Sequence, residues 1–290
     1  MATLAMQSAQ IARAMSFATL RGFFAVGTRL APHAIAPLAE RLFCMPLGAR
    51  RLRVDTRDIP TGEPFVLRFA ERRIAGHVWR ADAGRPRVLL AHGWAGTGLQ
   101  LAAFVAPLLE AGFEVVTFDQ PAHGKSSGRW TTLPEFARTY ARVSAALGPF
   151  DAVVAHSLGA AAVALALSHG LPARRVVLIA APTDARQMIR GFARAMWLSD
   201  EVLARMMQSI EVREGVKFAD LKATRIAPHI VQPALLIHDR DDRVVPYASL
   251  SVYAGAWRNH SVLATEGLGH HRILHDPGVI HATVDYLTSA

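Results

Sequence analysis

The sequence predicts a doubly wound α/β fold, a mostly parallel β-sheet flanked by helices, with a helical cap insertion and an N-terminal helical segment added to it. Three observations carry that expectation. From residue 65 onward, short β-branched or apolar runs alternate with longer Ala- and Leu-rich stretches at helical spacing, the rhythm of βαβ units. Runs such as Arg87-Val-Leu-Leu-Ala91 and Ala234-Leu-Leu-Ile-His238 are apolar without alternation, as strands buried on both faces are. The 290 residues are 51% hydrophobic and 19% charged, with 21 Gly and 16 Pro, so the chain can fill a large core and is neither disordered nor of low complexity.

In chain order, residues 1–53 stand apart, with seven arginines and one acid, Glu40, among Ala, Leu, Phe and Met. Arg13, Arg21 and Arg29 interrupt this segment too often to leave the ~18 uncharged apolar residues of a membrane span. The first basic residue comes too late for a cleaved secretory signal. One or two helices broken near Pro32, Pro37 and Pro46 are expected, packed on the main domain or lying on a membrane surface with arginines toward phosphate head groups. The arginines fall eight residues apart, each about 80° further round a helix, so they make no single polar face, which favours packing.

Residues 54–290 read as the α/β domain. Phe65–Phe69 and Ile74–Trp79 form an opening hairpin, followed by strands at Val88–Ala91, Glu114–Phe118, Ala152–Ala155, Val176–Ala180, Ala234–His238 and Ser261–Ala264. Helices fall at Leu99–Glu110, Pro134–Leu147, Leu158–His169, Tyr247–Trp257 and Val279–Leu287, with Pro or Gly at most junctions. Between Ala181 and Pro233 the rhythm stops. That interval is too long for an ordinary αβ connection, and Phe192, Met196, Trp197, Leu198, Leu203, Met206 and Met207 make it rich in adaptable apolar side chains. A helical cap over a pocket, at about residues 183–231, is expected, against a helical hairpin that only extends the core.

The formal charge is +9, from 32 basic and 23 acidic residues, nearly all the basic ones Arg. No recognition-helix pattern, aromatic stripe or block of five basic residues accompanies it, so nucleic-acid binding is not expected. Cys44, the only cysteine, rules out an intramolecular disulfide framework and a Cys-rich metal site, and leaves the cytoplasm as the default compartment, with peripheral membrane contact through residues 1–53 as the variant.

Two serines compete for a nucleophile's place. Gly124-Lys-Ser126-Ser-Gly128 matches Gly-x-Ser-x-Gly literally, and Ala155-His-Ser157-Leu-Gly159 misses it by one methyl group. Such an elbow needs a strand running into a sharp turn that opens directly into a helix. Asp151-Ala-Val-Val-Ala155 supplies the strand and Gly159-Ala-Ala-Ala-Val-Ala-Leu-Ala166 the helix, whereas Ser126 has neither neighbour. Lys125 and Ser126 imitate the end of a phosphate-binding loop, but its first glycine would fall on Asp119 and no helix opens after it. No Gly-x-Gly-x-x-Gly follows a strand, which removes dinucleotide binding.

A serine needs a base, and the base an orienting acid. Downstream, Asp239-Arg-Asp241-Asp242-Arg-Val-Val-Pro246 follows one strand and Glu266-Gly-Leu-Gly-His270-His271 the next, in the order Ser, Asp, His. Strand carboxyl ends gather along one crevice of a doubly wound sheet, so these loops can converge. The backbone N–H of Leu158, at a helix N-terminus, is a candidate oxyanion donor. His92, His123, His156 and His238 at strand-end turns read as loop-holding hydrogen-bonders, since no His-x-x-x-His on a helix face suggests a metal.

From Val88 to the C-terminus the chain resembles an α/β-hydrolase. The resemblance rests on His92-Gly93-Trp94, Asp119-Gln-Pro-Ala-His-Gly-Lys-Ser126, Ala155-His-Ser157-Leu-Gly159, Asp239 to Pro246, and Gly267-Leu-Gly-His270. It implies Ser157 as nucleophile, Asp242 as acid, His270 as base and the Trp94 N–H as second oxyanion donor. His271, Asp241 and Asp184 are the alternatives. His270 follows the glycine that turns its loop, and Asp242 has the better spacing to Val245-Pro246. Two departures stand out, Asp239 where many members have Gly and Ala155 where Gly is usual. The expected activity is that of a carboxylesterase-like serine hydrolase, cleaving a small-molecule ester or thioester through an acyl-enzyme, without cofactor or metal. Acyl transfer or perhydrolysis on the same residues is the alternative reaction, and a non-catalytic binding protein the alternative class.

Overall fold

The computed structural model describes residues 17–48, 59–70, 72–81 and 84–289. They form two compact units, one built from the segment ending at Cys44 together with Asp184–Ala219, the other from Met45–Thr183 and Asp220–Ala290.

The larger unit holds one eight-stranded sheet, β1 (Glu63–Phe69), β2 (Arg72–Trp79), β3 (Arg87–Ala91), β4 (Glu114–Phe118), β5 (Ala152–His156), β6 (Arg175–Ile179), β7 (Ala234–Asp239) and β8 (His260–Thr265), in the order β1-β2-β4-β3-β5-β6-β7-β8. The hairpin β1-β2 and the β2-β4 pair are antiparallel, and every pair from β4 to β8 is parallel. The central strands bury both faces: four of the five residues of β3 and all of β5 and β7 are inside, which is why they read as unbroken apolar runs. Alternate residues of these strands, among them Val88, Leu90, Val154, Ile179 and Ile237, meet Phe104, Leu108, Leu274 and Leu287 on one face. On the other face lie α4 (Leu133–Leu147) and α5 (Leu158–Ser168), packed side by side.

After β3 the chain builds β4 on one side and then returns past β3 to place β5 on the other. This reversal leaves a crevice at the carboxyl ends of β3 and β5, where such folds place their sites. Ala91, the last residue of β3, and Ala155, the last but one of β5, are register partners, so His92-Gly93 and His156-Ser157 emerge side by side.

The helix expected over Leu99–Glu110 is divided, with a 3-10 turn at Gly98–Phe104 preceding α3 (Val105–Glu110). Tertiary hydrogen bonds explain the difference: the Gly98 N–H donates to Asp119 Oδ1 at 2.7 Å and Gln100 Oε1 accepts from the Gly93 N–H at 2.8 Å, holding this stretch to the strand ends instead of letting it wind freely. Later helices are α8 (Ala223–Ile226), α9 (Ala248–Ala256), α10 (Gly269–Arg272) and α11 (Pro277–Thr288).

The smaller unit contains α1 (residues 17–30), α2 (Pro32–Phe43), α6 (Ala185–Ala195) and α7 (Asp200–Glu214). The chain breaks at Ala31, with Pro32 opening α2, as expected. Pro37 does not break it. It lies inside α2, where the carbonyl it leaves without a donor belongs to the exposed His33 and is open to water. The N-terminal segment packs on the insertion, with which it forms the smaller unit. Thr28 and Ser199 exchange hydrogen bonds at 2.9 Å, Arg205 bonds His33 at 3.0 Å, Phe43 meets Phe192 with centroids 5.4 Å apart, and Glu40 is ion-paired with Arg213. The lone acid of the segment is thus buried against an arginine of α7, a partner that nothing in its local sequence indicates.

Candidate active site

Ser157 stands between β5 and α5 with φ 54° and ψ −128°, the positive-φ turn of a nucleophile elbow. Two glycines make the turn possible. A Cβ on Gly159 would sit 2.2 Å from the His92 carbonyl oxygen, and one on Gly93 would sit 2.9 Å from the Ser157 Cβ. The loop after β3 is therefore pressed against the first turn of α5, and only hydrogen atoms fit between them.

His270 Nε2 lies 3.0 Å from the Ser157 Oγ, and its Nδ1 lies 2.7 Å from Asp242 Oδ2. The three predicted side chains form one hydrogen-bonded row, although 85 residues separate the first two in sequence. His271 is exposed, its ring centroid 5.0 Å from that of His270. Asp241 binds the Gly267 N–H at 2.9 Å, and Asp184 caps α6 by accepting from the Arg186 N–H at 2.8 Å. Asp242 has a fully buried side chain. Its Oδ1 accepts from the N–H groups of Val244 and Val245, both at 2.8 Å, and His238 Nε2 is 3.4 Å from Oδ2. Burial pushes this carboxyl up, but hydrogen bonds from His238, His270 and the Val245 and Val244 N–H groups outweigh it and hold it well below the usual carboxylate range. The acid beside His270 is an anion at any pH near neutrality.

Among the described residues, the backbone N–H groups of Leu158 and Trp94 have no hydrogen-bond partner within the protein. Leu158 opens α5, whose N-terminal dipole favours negative charge. The half-buried Trp94 side chain stacks on Phe136 at 6.3 Å between centroids and meets His123 edge-on at 5.5 Å, which steadies its backbone.

The literal Gly-x-Ser-x-Gly is structural. Ser126 is 2% exposed, and its Oγ donates to the Asp119 carbonyl at 2.6 Å while accepting from the Ala75 N–H at 2.9 Å. It ties the loop after β4 to β2 and has no base beside it.

The histidines beside the row hold loops. His92 donates from Nδ1 to the Gly93 carbonyl at 2.7 Å and accepts at Nε2 from the Gln120 N–H at 2.9 Å. His123 donates to the Pro121 carbonyl at 3.0 Å and accepts from the Ala95 N–H at 3.0 Å. His156 Nε2 donates to the His270 carbonyl at 2.9 Å, gripping the backbone of the residue that faces Ser157. Among the described residues, no three His, Cys, Asp or Glu side chains gather so as to hold a metal ion.

Asp239 is the residue that sequence reasoning noted but did not use. Completely buried at the end of β7, it accepts hydrogen bonds from the Asp241 N–H, the Thr265 hydroxyl, and the Leu268 and Gly269 N–H groups, at 2.7–3.1 Å. Burial pushes its carboxyl up, and these bonds, from Thr265, Gly269, Asp241 and Leu268, bring it below its ordinary value. Gly267 and Gly269 adopt φ 79° and 66°, so the loop winds round this carboxylate and delivers His270 on its far side. The local signal was an acid where a glycine is usual.

Residues 88–283 match the sequence profile of the alpha/beta hydrolase family. The chain belongs to that family. Solved structures agree on the hydrolase fold. A thioesterase domain from the curacin biosynthetic pathway is 19% identical with TM-score 0.60, covering 79% of this chain and 100% of that one. An esterase from Exiguobacterium antarcticum is 16% identical, also with TM-score 0.60, over 79% and 100%. A membrane phospholipase A described as a bacterial virulence factor is 18% identical with TM-score 0.60, and there the match spans 98% of this chain and 100% of that one. No curated protein matches.

Proposed function

We propose that the protein is a serine hydrolase that cleaves a carboxylic ester or thioester through an acyl-enzyme on Ser157. The observation that carries this reading is the unbroken row Ser157 Oγ, His270, Asp242, with contacts of 3.0 and 2.7 Å, at a positive-φ turn. The esterase, thioesterase and phospholipase among its structural neighbours support the substrate class.

His270 Nε2 accepts the Ser157 proton as Oγ bonds to the substrate carbonyl carbon, and Asp242 stabilises the imidazolium through the Nδ1–H. The carbonyl electrons move onto oxygen, and the Leu158 and Trp94 N–H groups, otherwise unpartnered, receive that oxyanion. Collapse expels the alcohol or thiol, protonated by His270. Water, deprotonated by the same ring, then attacks the acyl-enzyme and releases the acid and free Ser157.

Labelling with a fluorophosphonate probe tests the assignment. Wild-type protein is expected to react and to hydrolyse short p-nitrophenyl esters, and Ser157→Ala to do neither. Undiminished labelling of Ser157→Ala, or a wild-type protein inert to both reagents, sinks the reading.

The Asp239 clamp adds a second expectation. Asp239→Asn exchanges one acceptor oxygen for a donor facing N–H groups, loosening the loop that carries His270. A displacement of ~1 Å there costs up to ~10²-fold in rate. Steady-state kinetics should show the loss in kcat with KM nearly unchanged, and an unaltered kcat would show that the loop holds itself.

A further inference from the structure

Helix α1 turns an apolar stripe outward. Phe23, Val26 and Leu30 follow at the i, i+3, i+7 spacing that lines one side of a helix, and they are 52%, 58% and 80% exposed. The other side is already engaged within the smaller unit: Phe24 and Thr28 are buried, and Thr28 is bonded to Ser199. The outward stripe thus adds nothing to the packing that holds α1 in place.

On α1 and α2 themselves the exposed charge has one sign, while the nearest exposed acids, Asp200 and Glu201, stand at the start of α7 on the side of α1 that carries Thr28. The first 39 residues contain three arginines and no carboxylate. The next residue, Glu40, is buried and ion-paired with Arg213, so α1 and α2 present no acidic side chain to solvent. Arg29 is exposed and lies about 60° round α1 from Val26, at the edge of the stripe.

We propose that α1 docks the protein, lying in the plane of the interface, on an anionic phospholipid surface. Phe23, Val26 and Leu30 enter the boundary between head groups and acyl chains, and the Arg29 guanidinium meets lipid phosphate. Among the described residues no helix is long and apolar enough to cross a membrane. A second copy of the chain is a poorer occupant. Three side chains fall far short of the ~20–30 residues a side of a stable protein interface, and two such faces would bring cations together without a carboxylate between them. Trp197, though 56% exposed, is not on the stripe: it stacks with Arg21, at 4.0 Å, on the opposite side of α1.

Flotation of the full-length protein decides the matter, with vesicles of phosphatidylcholine alone and of phosphatidylcholine mixed with phosphatidylglycerol, each at low and high salt. Wild-type protein is expected to float with the anionic vesicles and to be released by salt. The combined variant Phe23→Ser, Val26→Ser, Leu30→Ser should bind at least ~10-fold less. Arg29→Ala, a single exposed change that keeps the fold testable if the combined variant is unstable, should weaken binding to the anionic vesicles alone by ~5-fold. The proposal fails if wild-type protein floats with neither vesicle, if the combined variant floats undiminished, or if the wild type sediments as a dimer that the combined variant converts to monomer without flotation of either.

Discussion

Replacing His270 by alanine is expected to lower kcat/KM for an ester substrate by ~10⁴–10⁶-fold, about as much as losing Ser157 itself. Among the described residues, the ring alone reaches the Ser157 hydroxyl on one side and Asp242 on the other, at 3.0 and 2.7 Å. His271 should not rescue it. That side chain is exposed, and its ring stands edge-on to His270 rather than in line with the serine. Asp242→Asn should cost ~10⁴-fold, because an amide nitrogen facing Nδ1 enforces the tautomer that cannot accept the serine proton. The losses are not additive, so His270→Ala placed on Ser157→Ala should change little further. Rates measured under saturating and subsaturating substrate separate this from a binding defect, which would raise KM at unchanged kcat. Should His270→Ala retain more than about a tenth of the wild-type rate, against the loss expected here, the proton would have to leave Ser157 by another route.

The elbow was legible because its requirements are local. A buried strand, one serine and a small-residue helix lie within sixteen residues, Asp151 to Ala166, and that context rejected Ser126 despite its better literal match. Ser126 proved to be a buried clasp between β2 and the loop after β4, a role that depends on Ala75, some fifty residues away, and so left no local trace. His270 and Asp242 were implied by the resemblance to α/β-hydrolases, and the glycine before His270 and the spacing of Asp242 to Pro246 only narrowed the choice against His271 and Asp241. The carboxylate of Asp239 was visible, but its four donors lie on two loops whose approach is a tertiary event. The same holds for α2. Pro37 suggested a break that the helix does not make, and the buried partner of Glu40 cannot be read until Arg213 from α7 is brought beside the carboxylate. Long-range hydrogen bonds of this kind override local preference without altering the local pattern.

Acidification should unfold the protein well before its carboxylates titrate. His92, His123 and His156 are buried, and burial above all holds their protonation down to about 4, 3 and 3, with neighbouring His92 lowering His123 further and His270 lowering His156 further. In the unfolded chain the same imidazoles take up protons near pH ~6.5. The folded values are depressed, so the stability these rings contribute is complete above pH ~6.5 and is lost as the pH falls from there toward the folded values. Three protons bound on unfolding correspond to a slope of ~4 kcal/mol per pH unit, and by pH ~5 to a loss of ~6 kcal/mol against a typical total of ~5–15. Two of the hydrogen bonds act in the same direction as burial. His92 and His123 use Nε2 to accept from the Gln120 and Ala95 N–H groups, and a protonated ring has no acceptor to offer. Asp239 and Asp242, both held below their ordinary values, act in the same direction but only once the pH is under ~4, where unfolded carboxylates begin to protonate. Urea midpoints taken at intervals from about pH 7 to pH 5 read the slope directly, on the scale the linkage relation sets. His123→Gln, whose amide oxygen can still accept from Ala95, should remove about one proton from it. A stability that stays level over this range would mean that water reaches these rings in the folded protein, and that the loops around Trp94 are looser than their hydrogen bonds require.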